Sequence, residues 1–528
     1  MPLRPSTVRF FALLSCAGVL GAQAEPPRTV PEATAHAETS RLADVERFVA
    51  ACRGLPHGDQ LTTRIAGKSH EGRPLLLVRA AATAAPAQPR LRALLIANIH
   101  AGECEGKEAL QMLLREFALG QHHDVLARCE VWLLPIYNVD GNEAVGPKNR
   151  EGQNGPDVVG RRANGQGLDL NRDFVKAEAP ETQALLGLFT ELDPHLFMDL
   201  HTTNGSAHGY QLTYAPGLSP NSDPEIKALS RALLDDVTAT LQKDHGLRTF
   251  DYGNFETRDW DGGGAPESGP VRGWYSYDHR ARYGVNCFGL RNRIAILSEA
   301  YSYADFATRI AATRAFVLAT LQWLCAAETE VFAVSARADA RPASAVPPAF
   351  GFDTTFAAPE TLPVLVGKTK RIEGTDGAPM RQVVDGEPVA EPMPVVRAFT
   401  ARKSLPLPEA WALPAPLPAV VHLLQRHGIA ATTTDAARTV TAQRFAVTAK
   451  KKPKRPFQGH QELVLAGTWQ DAAAVELPAG TLLVSARQRL AVLAATLLEP
   501  ESEDSLSTWN FLEAATADHY PVLRVVRQ

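Results

Sequence analysis

From residue 42 to about residue 327 the sequence alternates short apolar runs with longer stretches of helical period. Residues 75–78, 94–98, 131–137, 196–200 and 294–297 are apolar, brief and flanked by turn formers, which reads as buried strands. Helical stretches at 107–119 and 181–192 fall between them. That alternation predicts an α/β fold, a mixed and mostly parallel sheet flanked by helices. Total charge adds little. Lys and Arg number 54 against 58 Asp and Glu, a net of −4, which gives no electrostatic footprint for nucleic acid or an anionic membrane. With 528 residues, 45% hydrophobic and 21% charged, the chain is globular in composition and long enough for two or three domains.

The two ends read differently from this middle. Arg4 and Arg9, the apolar run 10–21 and Ala22-Gln23-Ala24 form a secretory signal with an A-x-A cleavage site. A mature chain beginning near Glu25, in a secreted or periplasmic location, is expected. A second reading takes Leu14-Ser15-Cys16 as a lipobox, with Cys16 lipidated. No later stretch reaches about 18 uninterrupted apolar residues, so no integral membrane segment is expected after cleavage, and 316–327 reads as a buried helix. Cys52, Cys104, Cys129, Cys287 and Cys325 are scattered without a C-x-x-C pair, so most are expected as buried free thiols. Residues 336–348, rich in Ala, Pro and Ser, read as a linker. Beyond it short strands run to about 399, a Pro-rich stretch covers 405–418, and helix-like runs follow near 420–427 and 494–498. The division expected is a signal at 1–24, a catalytic domain at 42–330 and a smaller C-terminal α+β region at 350–528.

Chemistry concentrates at the ends of the apolar runs. His100-Ala101-Gly102-Glu103 follows the 94–98 run and precedes a helix. Imidazole and carboxylate three residues apart at a strand-to-helix turn can converge on one zinc ion. At this composition about 1.6 such pairs arise by chance, so the position at a strand's carboxyl end carries the weight. Asp199-Leu200-His201 ends a second run and offers a third ligand; two His and one Glu with an open fourth position is a catalytic zinc pattern. Between them lies Arg162-Ala163-Asn164-Gly165-Gln166-Gly167-Leu168-Asp169-Leu170-Asn171-Arg172-Asp173-Phe174, a loop whose arginines suit a carboxylate. Glu299 ends the 294–297 run and is a candidate general base. Burying such a Glu without a partner is costly, so it either faces a cleft or the strand reading is wrong.

H-A-G-E at 100–103, R-x-N at 162–164, G-L-D-L-N-R-D-F at 167–174, D-L-H at 199–201 and the run into Glu299 stand in the order of the zinc metallocarboxypeptidases, which residues 42–327 resemble. Residues 67–73 also resemble the opening of that peptidase domain. The resemblance implies that His100, Glu103 and His201 hold one Zn²⁺ per chain and leave a position for water. Glu299 would take that water's proton and deliver it to the leaving amine. Arg162 would polarise the carbonyl, and Asn171 and Arg172 would grip the C-terminal carboxylate of a peptide substrate. Asp169 would orient His100 through its other ring nitrogen. R-R-A-N leaves Arg161 as an alternative to Arg162. Among the tyrosines at 275, 277 and 283, Tyr277 is assigned to the family's substrate-binding Tyr.

Arg291 and Arg293 precede the Glu299 run, where either an acidic substrate side chain or structural carboxylates would meet them. Residues 352–528 resemble C-terminal extensions of secreted bacterial relatives, notably P-F-Q-G-H at 456–460, and the acids Glu499, Glu501, Glu503 and Asp504 read as a helix start. The function expected is a zinc carboxypeptidase acting on a peptide with a free C-terminus, without nucleic acid. A zinc deacylase on a small acylated substrate and an inactive peptidase-fold binding protein are the alternatives.

Overall fold

The computed structural model describes residues 25–526 apart from 87, 204, 257–271, 345–347, 374–379 and 513–517. The signal segment at 1–24, with Cys16, lies outside the described residues. Eight strands form the central sheet. They are β1 (Leu61–Lys68), β2 (Pro74–Ala80), β3 (Leu91–Ala97), β4 (Cys129–Leu134), β5 (Leu196–Thr202), β6 (Leu212–Pro216), β7 (Thr249–Asp251) and, after β8 (Asn254–Glu256) and β9 (Arg272–Tyr275), β10 (Ile294–Ala300). Their order is β1-β2-β4-β3-β5-β10-β6-β7. The middle, β4-β3-β5-β10, is parallel, and the β1-β2, β2-β4 and β10-β6 pairs are antiparallel. Every residue of β5 and β10 is buried, which explains why both read as apolar runs at 196–200 and 294–297, with Asp199 the one charged residue inside them.

The two faces of the sheet are separated by the period-two alternation of β5. Leu200 meets the helix Glu105–Ala118: a Cβ on Gly106 would lie 2.8 Å from Leu200 Cβ and 3.0 Å from Ala97 Cβ. Only glycine permits that approach. This helix packs with Leu42–Cys52 and Phe306–Ala326, and the last also packs on Pro224–His245. On the other face, Phe197 packs on Phe189 of helix Pro180–Leu192 and Phe288 of helix Gly284–Gly289, with ring centroids 6.4 and 4.1 Å away. Asp199 and His201 share that face with Phe197.

The stretch expected as a linker begins in a helix instead. Glu328–Ala340 is helical because Val331, Val334, Ser335 and Ala338 recur at helical spacing and are buried; an Ala-rich composition concealed that stripe. The C-terminal region is α+β. Strands Trp411-containing Ala410–Leu413, Arg438–Gln443, Ala473–Leu477 and Leu482–Ser485 join one sheet, with helices Pro418–Arg426 and Ala491–Leu498. A second sheet spans the expected domain boundary: Val389–Val396 pairs with β9 in parallel, Val395 opposite Trp274. The five described cysteines are buried and free. No single helix among the described residues is long and apolar enough to cross a membrane. One bent pair, Phe306–Ala326 with Glu328–Ala343, has the length and composition, but most of its first helix is buried.

Gly106→Val tests the close approach of helix and strands. Overpacking there is expected to lower stability by about 1–3 kcal/mol, read by thermal or denaturant unfolding; an unchanged midpoint would show that the contact is slack.

Candidate active site

Three strand ends build the site. The chain leaves β3 through Asn98, whose φ of +63° is left-handed, a conformation Asn tolerates better than most residues. Asn98 Nδ2 donates to the carbonyls of Ala101 (3.2 Å) and Glu103 (3.1 Å), closing a loop that turns His100 and Glu103 over the sheet before the helix begins at Glu105. The second and third ends, β5 and β10, run parallel with His201 directly opposite Glu299. In-register partners on one face of a sheet are nearest neighbours, so the backbone alone sets a His beside a carboxylate.

His100, Glu103 and His201 converge, each buried, with one potential ligand atom apiece within 4.8 Å of the others. His100 Nδ1 lies 3.1 Å from Glu103 Oε1, and His201 Nδ1 lies 3.0 Å from Glu103 Oε2. Both imidazoles turn their Nε2 to a further carboxylate: Asp169 Oδ1 at 3.0 Å for His100 and Asp199 Oδ2 at 2.9 Å for His201. A carboxylate behind each ring leaves Nδ1 as the inward donor on both. Two imidazole nitrogens and one carboxylate, buried and convergent, fit a zinc ion with an open coordination position.

Electrostatics sharpen this picture. Burial alone would push Glu103 up, yet the Arg150 guanidinium and the two histidines hold it well below the usual carboxylate range. Arg150 donates to Glu103 Oε1 and also to the carbonyls of Thr202 (2.7 Å) and Thr203 (3.1 Å). Burial likewise opposes charge on Asp169, and His100 and Arg162 hold it low nonetheless. Glu299 behaves in the opposite way. Burial, with Glu103 and Asp199 repelling its charge and His201 and Arg150 opposing, pushes it up to about 8. Its Oε2 has no hydrogen-bond partner among the described residues.

These side chains line one cavity of about 410 Å³ with Arg162, Asn171, Arg172, Thr202, Tyr252, Tyr277, Tyr283 and Leu297. The expected ligands His100, Glu103 and His201, the base Glu299 and the substrate contacts Arg162, Asn171, Arg172 and Tyr277 therefore face the same space. Arg162 grips Asp169 Oδ2 through Nε (3.1 Å) and Nη2 (2.8 Å) and stands 3.8 Å from Glu103. Arg161 does not line the cavity; it donates to the Asn164 carbonyl. Asn171 accepts from the Gly284 N–H at 3.0 Å, and Arg172 stacks on Tyr283 at 4.1 Å. Tyr277 is buried 5.6 Å from the Tyr283 ring and 6.1 Å from that of Tyr252. Tyr275 lies in β9 instead.

Sequence reasoning missed Arg150 and Tyr252. Arg150 sits in an aperiodic loop and Tyr252 in a two-residue gap between short strands, so neither had a strand end or motif to mark it. Of the two arginines before β10, Arg293 pairs with Asp193 and Asp339, the structural carboxylates that one reading expected, and Arg291 donates to His427 instead. The acids 499–504 do not start a helix. They follow the end of Ala491–Leu498, with Glu499 accepting from Trp411 Nε1, Glu503 pairing with His279 and Asp504 with Arg282.

A mostly parallel α/β sheet whose strand ends converge two His, one Glu and a separate buried carboxylate defines the class of a metal-dependent hydrolase. Residues 56–287 match the family model described as zinc carboxypeptidase. Carboxypeptidase 2 of Trichophyton rubrum is 24% identical over 479 residues, spanning 87% of this chain and 81% of its own. Carboxypeptidase D of Mus musculus is 32% identical over 157 residues, 23% of this chain and 11% of its own. Among solved structures, a metallo-carboxypeptidase from Pseudomonas aeruginosa superposes with a TM-score of 0.40 at 18% identity, covering 56% of this chain and 70% of that one.

Asp169→Asn is expected to weaken zinc retention by about 10–100-fold, because the amide no longer holds His100 and Arg162 by charge. Competition against a chelator measures this; unchanged affinity would separate Asp169 from the His100 ligand.

Proposed function

We propose that this metallocarboxypeptidase hydrolyses the last peptide bond of peptides bearing a free C-terminal carboxylate, using one zinc ion held by His100, Glu103 and His201. The observation that carries the assignment is Glu299: a buried carboxylate opposite His201 in the register of β5 and β10, in one cavity with the Asn171–Arg172 pair. When bound, zinc would polarise the scissile carbonyl and lower the pKa of a water towards about 7.

The chain's own residues supply the rest. Glu299 takes a proton from the attacking water and returns it to the departing amine, so one water is consumed and one acid and one amine are released. A raised pKa suits that double duty, since the group must both accept and release a proton near neutrality. Arg162 offers its guanidinium to the oxygen on which charge develops, a contribution of about 2.7–4 kcal/mol for a well-placed donor. Asn171 and Arg172 bind the substrate's terminal carboxylate. Arg172 sits over the Tyr283 ring at 4.1 Å, a contact that restrains its fork and reduces the entropy lost on binding. Tyr277 covers the bound substrate from the side. Arg150 is held by two carbonyls of the β5 end and supports Glu103 rather than the substrate. The composition of residues 1–24 supports an exported enzyme.

Glu299→Gln is expected to retain zinc and lose turnover by several orders of magnitude; zinc analysis and peptide hydrolysis of the purified protein check this together. Retained turnover would remove Glu299 from the chemistry. C-terminally amidated peptides are expected to be poor substrates, and equal rates on amide and free acid would refute the Asn171–Arg172 role. Glu299 works as base only when ionised, so kcat/KM rises with pH through its pKa. Burial places that midpoint above the ordinary 4.5, and the charge of a bound cation draws it below 8. An acid limb outside this window in the pH profile would contradict the burial argument.

A further inference from the structure

The C-terminal region reaches the carboxylate-binding loop through a single tight turn. Phe457 and His460 exchange both backbone hydrogen bonds, at 2.8 and 3.0 Å, around Gln458 and Gly459, whose φ angles are +50° and +80°. That is a two-residue hairpin turn with both central residues left-handed, a rigid connection. At its tip Gln458 Oε1 accepts the backbone N–H of Asp169 at 2.9 Å, across 289 positions of sequence.

Asp169 is the residue on which the loop turns. Its Oδ1 accepts from the Asn171 N–H at 2.9 Å and faces His100, its Oδ2 receives Arg162, and its carbonyl accepts the Arg172 N–H at 3.0 Å. Just before it Asn164 Oδ1 braces the Gly165–Gly167 stretch by accepting the Gln166 and Leu168 N–H groups, both at 3.0 Å, and that brace stops one residue short of the Asp169 N–H, which Gln458 takes. The turn is well founded on its other side. His460 meets Glu178 at 3.0 Å and Asn510 at 3.0 Å, and Arg282 lies 5.6 Å over Phe457 while paired to Asp504 at 2.8 Å.

We infer that Gln458 is a positioning residue for substrate: it holds the Asp169–Arg172 turn in the orientation that grips the terminal carboxylate. The C-terminal region thus completes the active site. This rests on the carboxypeptidase reading above and adds a residue outside the matched domain to it.

The test uses the zinc-loaded full chain with two substitutions. Gln458→Met keeps the length and removes the acceptor; Gln458→Glu keeps an acceptor. For a free-acid peptide, Met is expected to raise KM by about 3–10-fold, the loss of one hydrogen bond, with kcat within about twofold. Glu is expected to stay close to wild type in both. Amide hydrogen exchange over 164–172 should speed up in Met and not in Glu, a readout that needs no substrate, so a failure of the peptidase assignment would show separately as absent wild-type turnover. An unchanged KM and exchange rate in Met would overturn the inference. Equal impairment of Met and Glu, or a KM change accompanied by zinc loss and a lowered Tm, would show a folding role instead and overturn it equally.

Discussion

The parallel pairing of β5 with β10 places His201 opposite Glu299, and the rest of the site is arranged around that register. Side chains alternate along a strand, so a slip of one residue would turn one of the two away from the cavity. The register is secured below the site by residues buried on both faces, Leu196 opposite Ile294 and Phe197 opposite Ala295. An apolar sheet interior therefore sets the spacing of His201 and Glu299.

Concentrating acids in such a place carries a desolvation cost that pairing must offset. Thr202, one residue past His201, shows how densely the pairing is made. Its N–H donates to Glu103 Oε2 at 3.0 Å, its hydroxyl donates to Glu105, and its carbonyl accepts from Arg150 at 2.7 Å. Glu105 lies 3.5 Å from Arg309, both fully buried. Glu103, Glu105 and Asp169 are thus each tied to a donor, whereas among the described residues Glu299 Oε2, like both oxygens of Asp199, has no hydrogen-bond partner. For Glu299 a free oxygen suits the role proposed above: a group that is to exchange a proton with water and amine cannot spend its lone pairs on fixed donors.

What was legible in the sequence follows the same physics. His100, Glu103, His201 and Glu299 were found because apolar runs mark buried strands and sites gather where such strands end. Asp169, Asn171 and Arg172 came from a resemblance of motifs, since nothing periodic distinguishes their loop from an exposed one. Arg150 was invisible because its importance lies in two carbonyls and one carboxylate that are distant in sequence. The end of the helix Glu328–Ala340, from residue 336 on, reads as linker because small residues blur an amphipathic stripe. Most of all, the link from Gln458 to Asp169 spans 289 positions, and no local pattern encodes a contact of that range.

The C-terminal contacts also bear on how Tyr277 is held in the cavity wall. On one side Ser276 donates its N–H to the Val396 carbonyl at 2.8 Å, continuing the sheet shared by β9 and Val389–Val396. On the other Arg282 is bound to Asp504 and Glu462 at 2.8 Å each, under the Trp509 ring at 4.5 Å. Between these anchors Asp278 and Arg280 pair with each other, and Asn286 Nδ2 donates to the Asp278 carbonyl at 2.9 Å. A large swing of the Tyr277 backbone would break one anchor or the other, so under the function proposed above this segment is set before substrate binds rather than closed over it afterwards. Preorganisation of that kind reduces the ordering cost of binding, and here it is built from the part of the chain that carries none of the metal ligands.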